Sequence, residues 1–178
     1  MVIDADKIGH SVLLDKEVCS KIVETFGHGI LNEDGTINRK KLGEVVFSSP
    51  ADLQFLNSIT HPVIEDRIME SLKEWETSVD VAVIDAALLI EAGMTKLVDK
   101  IILVVASREV QLKRIIERDG LTFEEASKRI HAQLPIEKRL PFADYVIENN
   151  SFCIKELEEK VKVLWQSLSG LRGPSSLL

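Results

Sequence analysis

No apolar run in the sequence approaches the roughly 18 residues that a membrane-spanning helix needs, so no segment is expected to cross a bilayer. No secretory signal pattern opens the chain, and a cytoplasmic location is the expectation. Cysteine is scarce: Cys19 and Cys153 stand alone in helical-looking segments, at no metal-ligand spacing, and read as ordinary buried thiols. Basic residues are too few for a nucleic-acid sheath, since 22 Lys and Arg face 29 Asp and Glu, for a net charge of -7. Internal repeats are missing. So is any G-x-x-x-x-G-K-[ST] segment, the glycine-rich cradle that holds phosphates on backbone amides. What remains is an acidic chain of 178 residues with 45% hydrophobic content, enough for one domain or for a core carrying small inserted lobes.

The stretch that organises the chain is Val2-Ile3-Asp4-Ala5-Asp6. Val2 and Ile3 read as the end of a buried strand, and the acids after them would stand at its carboxyl edge, where α/β proteins bind ligands. The alternative is that Asp4 or Asp6 merely caps the following helix. Val18, Ile22, Val23 and Phe26 recur at helical spacing, Asn32-Glu33-Asp34-Gly35 reads as a turn, and Leu42, Val45, Val46 and Phe47 mark a second helix. Ser49 caps a third, with Pro50 at its first position. His61-Pro62 is expected to break it and open a fourth helix running towards Trp75. This much helix exceeds one crossover connection, so an inserted helical lobe is expected over 15–78.

Beyond it, Val79 to Ile84 reads as a buried parallel strand ending in Asp85, followed by strands at Lys100–Ala106 and Asp144–Glu148. Ser107 caps the helix after the second of these, and Thr122 with Glu125 forms a capping box for another. An amphipathic helix runs from Phe152 to Leu168, and the tail 171–178 is expected to be disordered. Strands alternating with helices imply an α/β fold: a parallel sheet with helices on both faces. The core would comprise 1–14 and 79–170, with a lid at about 119–142.

Asp85 repeats the placement of Asp4 and Asp6 on another strand end, although it too could serve as a turn cap. Gln111, Arg114 and Arg118 share one helix face, an arrangement that suits a polyphosphate or, alternatively, a solvated face neutralised by Glu109 and Glu117. A second basic set, Lys128, Arg129, Lys138 and Arg139, surrounds the Gln133-Leu134-Pro135 break, which reads as a short flap. His61 and Arg39 are ambiguous between ligand contact and packing or surface roles.

Taken in order, these pieces resemble the dephospho-coenzyme A kinase family. The resemblance is carried by Val2-Ile3-Asp4-Ala5-Asp6 with His10, Phe26-Gly27, Asp34-Gly35-Thr36-Ile37-Asn38-Arg39, Leu42, Val46-Phe47, Leu56-Asn57 and His61-Pro62. It continues through Asp85-Ala86-Ala87-Leu88-Leu89-Ile90-Glu91, Gln111-Leu112-Lys113-Arg114, Arg118-Asp119-Gly120 and Ala143-Asp144-Tyr145-Val146-Ile147-Glu148-Asn149-Asn150.

The resemblance implies a P-loop kinase with a core, a helical coenzyme-A lobe and a lid. Such an enzyme moves the γ-phosphate of ATP to the ribose 3′-hydroxyl of dephospho-coenzyme A, with Mg²⁺. By likeness, Asp6 would be the base, Arg114 and Arg118 would face ATP phosphates, Asn149 would lie near the adenine, and Arg39, His61 and Asp85 would line or support the acceptor side. The family's first strand, P-loop and first helix are not found before Val2, so the chain reads as truncated. Two strand edges should lie exposed and the chain as written should be nearly inactive. Ala87 stands where the family often has proline. Two rival readings remain: a non-catalytic module for coenzyme-A-like ligands or a partner, and a related small-molecule or nucleoside monophosphate kinase.

Overall fold

The two acidic strand ends stand side by side. In the computed structural model, which describes residues 1–131 and 133–170, strand β1 (Val2–Asp4) pairs in parallel with β2 (Val83–Asp85), and Asp4 is the register partner of Asp85. The amino terminus donates to Val81 O (2.9 Å) and Val83 N donates to Met1 O (2.8 Å), extending the pairing by a residue. Asp4 also caps helix α1 (Ala5–Val12), accepting from Lys7 N at 2.9 Å. The capping alternative therefore holds for Asp4, whereas Asp6 lies in the first turn of α1.

Helices α2 (Lys16–Phe26), α3 (Arg39–Val46) and α4 (Pro50–Trp75) follow, each started by a side-chain cap: Asp15, Asn38 and Ser49. Their apolar stripes meet in a buried cluster of Val12, Val18, Ile22, Ile30, Ile37, Leu42 and Val46. A second cluster, Ile3, Ala5, Ile68 and Met94, seats β1 against α4. Arg67 of α4 locks the junction between α1 and α2, donating to Ser11 Oγ (2.8 Å) and to Asp15 Oδ2 (3.2 Å).

The expected break at His61-Pro62 does not occur: α4 is one helix of 26 residues with Pro62 inside it. Proline removes the donor for the Ser58 carbonyl, at a cost of about 3 kcal/mol in a helix interior. Apolar side chains on both sides of it, Leu56, Ile59, Val63 and Ile64, pack on the same cluster, so burial holds the helix through the fault.

The chain divides into two units, Met1–Leu97 and the remainder from Val98. In the second, β3 (Ile102–Val105) pairs in parallel with β4 (Tyr145–Glu148), joined by helices α5 (Arg108–Asp119), α6 (Phe123–His131) and α7 (Ile136–Arg139). Asp144 secures the start of this pair, accepting from Ile101 N and Lys100 Nζ, both at 2.8 Å. Those bonds hold its carboxyl below the usual range, the Lys100 bond most strongly. Ser107 caps α5, and the Thr122–Glu125 box forms in both directions, with Thr122 N donating at 2.9 Å and Glu125 N at 3.3 Å. Helix α8 (Ile154–Gly170) ends the described chain, and the tail expectation for 171–178 lies outside the described residues.

Among the described residues the strands form two separate parallel pairs, β1 with β2 and β3 with β4. The cysteines depart from expectation. Cys19 is half-buried beside the first cluster, and Cys153 is exposed just before α8.

Candidate functional site

The candidate residues divide between the two units. Asp6, Arg39, His61 and Asp85 lie in the first; Arg114, Arg118 and Asn149 lie in the second. Parallel pairing in register is what sets Asp4 and Asp85 next to each other at the carboxyl ends of their strands. They differ in state. Asp4 is held by the backbone and side chain of Lys7, with its carboxyl pushed below the usual range by the backbone bond first. Asp6 and Asp85 are exposed and have no hydrogen-bond or ion-pair partner among the described residues. A carboxylate without a committed partner is free to accept a proton from a ligand hydroxyl.

Arg39 is exposed at the first position of α3, placed there by the Asn38 cap and the Asn32–Ile37 turn, in which Asp34 accepts from Thr36 N at 2.9 Å. His61 is half-buried on α4, and burial lowers its pKa, which keeps the imidazole neutral at neutral pH. No hydrogen bond or ion pair among the described residues joins Arg39 or His61 to the acids.

In the second unit the structure brings two candidates into contact. Arg114 Nη2 donates to Asn149 Oδ1 (3.1 Å) and to Ser151 O (2.7 Å), so both of its hydrogens are used by the loop after β4. The guanidinium also lies 5.3 Å from the centre of the Phe152 ring, which Lys113 approaches at 4.5 Å. Asn150 accepts from Ser107 N at 2.7 Å and ties the same loop to the start of α5. Gln111 turns back to Ala106 O at 2.6 Å, so its side chain serves the strand-to-helix turn rather than a ligand. Nε and Nη1 of Arg114 remain without a partner among the described residues.

Arg118 is exposed at the end of α5 and is gripped by Asp119 through Nε (2.8 Å) and Nη2 (2.9 Å). Asn150, Ser151, Phe152 and Asp119 escaped the sequence reading as site residues. The adjacent asparagines after a strand were the available signal for the first of them. Ser151 acts through its backbone carbonyl, which no side-chain pattern reveals.

A family model for dephospho-CoA kinase matches residues 1–155. The chain belongs to the dephospho-CoA kinase family. It is 45% identical over 150 residues to the dephospho-CoA kinase of Dehalococcoides mccartyi, covering 84% of this chain and 76% of the relative. It is 46% identical over 161 residues to that of Fusobacterium nucleatum subsp. nucleatum, covering 90% and 82%. Among solved structures it is similar to a Thermus thermophilus protein (TM-score 0.77, 28% identity, 97% of this chain and 85% of that one). It is also similar to the dephospho-CoA kinase from Campylobacter jejuni (TM-score 0.66, 32% identity, 96% and 86%). Membership makes the protein a phosphotransferase of α/β fold, with parallel strands and helices arranged as in P-loop kinases. Among the described residues no helix is long and apolar enough to cross a membrane.

Proposed function

We propose that the protein transfers the γ-phosphoryl group of ATP to the ribose 3′-hydroxyl of dephospho-coenzyme A, the closing step of coenzyme A synthesis, in the cytoplasm. The observation that carries this is the family match over residues 1–155, within which all seven candidate residues fall. In this reading the 3′-oxygen forms a bond to the γ-phosphorus, the bond to the β,γ-bridging oxygen breaks, the hydroxyl proton passes to Asp6, and ADP leaves. The free, exposed carboxylate of Asp6 suits that role. Arg114 and Arg118 offer charge to the phosphates, and Asn149 acts beside the adenine while steadying Arg114. Arg39, His61 and Asp85 serve the acceptor side, with neutral His61 as a hydrogen-bonding partner rather than a cation.

Mg²⁺ bound with the nucleotide would neutralise charge on the transferring phosphates. Among the described residues no cluster of three His, Cys, Asp or Glu could hold an ion alone. A Mg²⁺ ion that enters with ATP is carried chiefly by phosphate oxygens and water, with one or two carboxylates. In the same reading, residues 15–78 would take coenzyme A, a lid would lie at about 119–142, and 1–14 with 79–170 would form the core.

The test is ATP-dependent phosphorylation of dephospho-coenzyme A. Since these residues contain no glycine-rich phosphate loop, the assay is run on the chain itself and on a version extended at its amino end with such a loop. Asp6→Asn should lower kcat by about 10²–10⁴-fold with a smaller change in KM. Wild-type turnover in Asp6→Asn, or no turnover in the folded, loop-extended version, would refute the assignment. Binding of dephospho-coenzyme A without transfer would instead favour a binding module. Preference for another acceptor hydroxyl would favour a different small-molecule kinase.

A further inference from the structure

Asp119 occupies a position that local rules disfavour. It is the last residue of α5, where the helix dipole opposes a carboxylate. Gly120 follows with φ +66°, a left-handed cap that turns the chain, and the Thr122–Glu125 box then starts α6. This tight connection brings Arg129 of α6 back to the end of α5.

The Asp119 carboxylate is therefore met from two sides. Arg118 takes it through Nε and Nη2, and Arg129 donates to it through Nη1. Its pKa is lowered, the Arg118 hydrogen bonds being the main cause. The Asp119 side chain is 23% exposed, against 72% for Arg118 and 58% for Arg129. The acid is the sheltered member and the two cations present themselves to solvent.

The donor inventory shows what is left over. Arg118 spends its lateral edge on Asp119, which leaves the two Nη1 hydrogens and one Nη2 hydrogen, the complete end-on fork. Arg129 spends one Nη1 hydrogen, which leaves its lateral fork of Nε and Nη2 whole. Each guanidinium keeps one bidentate edge of the kind that matches phosphate oxygens.

We propose that Asp119 is a positioning residue that couples Arg118 and Arg129 into a two-guanidinium receptor for phosphate oxyanions, with Arg129 as its second binding residue. The proposal rests on the kinase reading in taking the triphosphate of ATP as the natural ligand. Asp119 touches no phosphate itself; it sets the spacing and orientation of the two cations. Lys128, beside Arg129, has no such anchor among the described residues and is not part of the receptor.

The sign of one substitution separates this arrangement from simple electrostatics. Removing a carboxylate from an anion site should tighten anion binding if the acid only competes for the arginines. If it positions them, removal should weaken binding. The experiment is calorimetric titration of the 178-residue chain with inorganic tripolyphosphate, with a thermal melt on each variant. We expect Asp119→Asn and Arg129→Ala each to weaken binding about tenfold, the scale of one charge-assisted hydrogen-bond pair, and Asp119→Glu to recover part of the loss. Tighter or unchanged binding in folded Asp119→Asn overturns the proposal, as does unchanged binding in Arg129→Ala or no binding by wild type. Should Asp119→Asn not fold, the exposed Arg129→Ala and Arg129→Lys decide the matter on the same criterion. Tripolyphosphate binding that depends on these residues, without phosphorylation of dephospho-coenzyme A by the loop-extended version, keeps the receptor and discards the kinase reading.

Discussion

At the scale of single residues, the candidates differ in how firmly their surroundings commit them. Asp4 is spent on a cap and on Lys7, whereas Asp6, two positions later, is uncommitted. That contrast is why the proposed base is Asp6 rather than Asp4, although both acids follow the same strand. His61 adds a pH dependence. Burial depresses its folded pKa below the ordinary 6.5, so the unfolded chain binds the proton more readily. Its contribution to stability is whole above pH about 6.5 and is lost as the pH falls through the lower, folded value. We predict that the melting temperature drops between pH 7 and pH 5, and that His61→Gln flattens part of that drop. An unchanged pH profile in the variant would show that His61 is not the group responsible.

At the scale of elements, Pro62 is the informative case. The proline forfeits a helical hydrogen bond, yet the helix passes through it because Ile59, Val63 and Ile64 are drawn to the core from both sides of the fault. Pro62→Ala should therefore restore the bond to the Ser58 carbonyl. The gain should be about 2 kcal/mol, read as a higher urea midpoint at unchanged slope, after part of the benefit is offset by a looser unfolded chain. A lower midpoint would mean that the proline shapes α4 in a way that packing needs. Other element boundaries were legible in advance because their determinants are local. Ser49-Pro50, Ser107 and the Thr122–Glu125 box each satisfy orphan amides within a turn or so of themselves. Strand lengths were overestimated: apolar content marked Val79 to Ile84, but the ladder begins only at Val83, opposite Val2.

At the scale of the whole molecule, burial is unevenly shared. Both clusters of buried side chains lie in the first unit, while in the second Leu103, Ala126 and Ile147 are buried without forming such a cluster among the described residues. Helices α2 and α4 should then exchange their amide hydrogens more slowly than α5, α6 and α8 under native conditions. Ile22, fully buried, is the probe for the first unit: Ile22→Ala should cost about 2–5 kcal/mol and raise exchange across α1 to α4. Uniform protection along the chain would contradict this division.

By itself the sequence determined the α/β class, the helix starts, the acidic strand ends and the ordered motifs that carry family membership, because all of these depend on patterns within a few residues. Only the tertiary structure decided which acid is free, that α4 survives Pro62, that Arg114 is held by Asn149 and Ser151, and that Asp119 gathers Arg118 and Arg129. Those outcomes turn on which donors and acceptors meet across elements. A carboxylate or a guanidinium has the same identity in the chain whether or not a distant partner takes its hydrogen bonds.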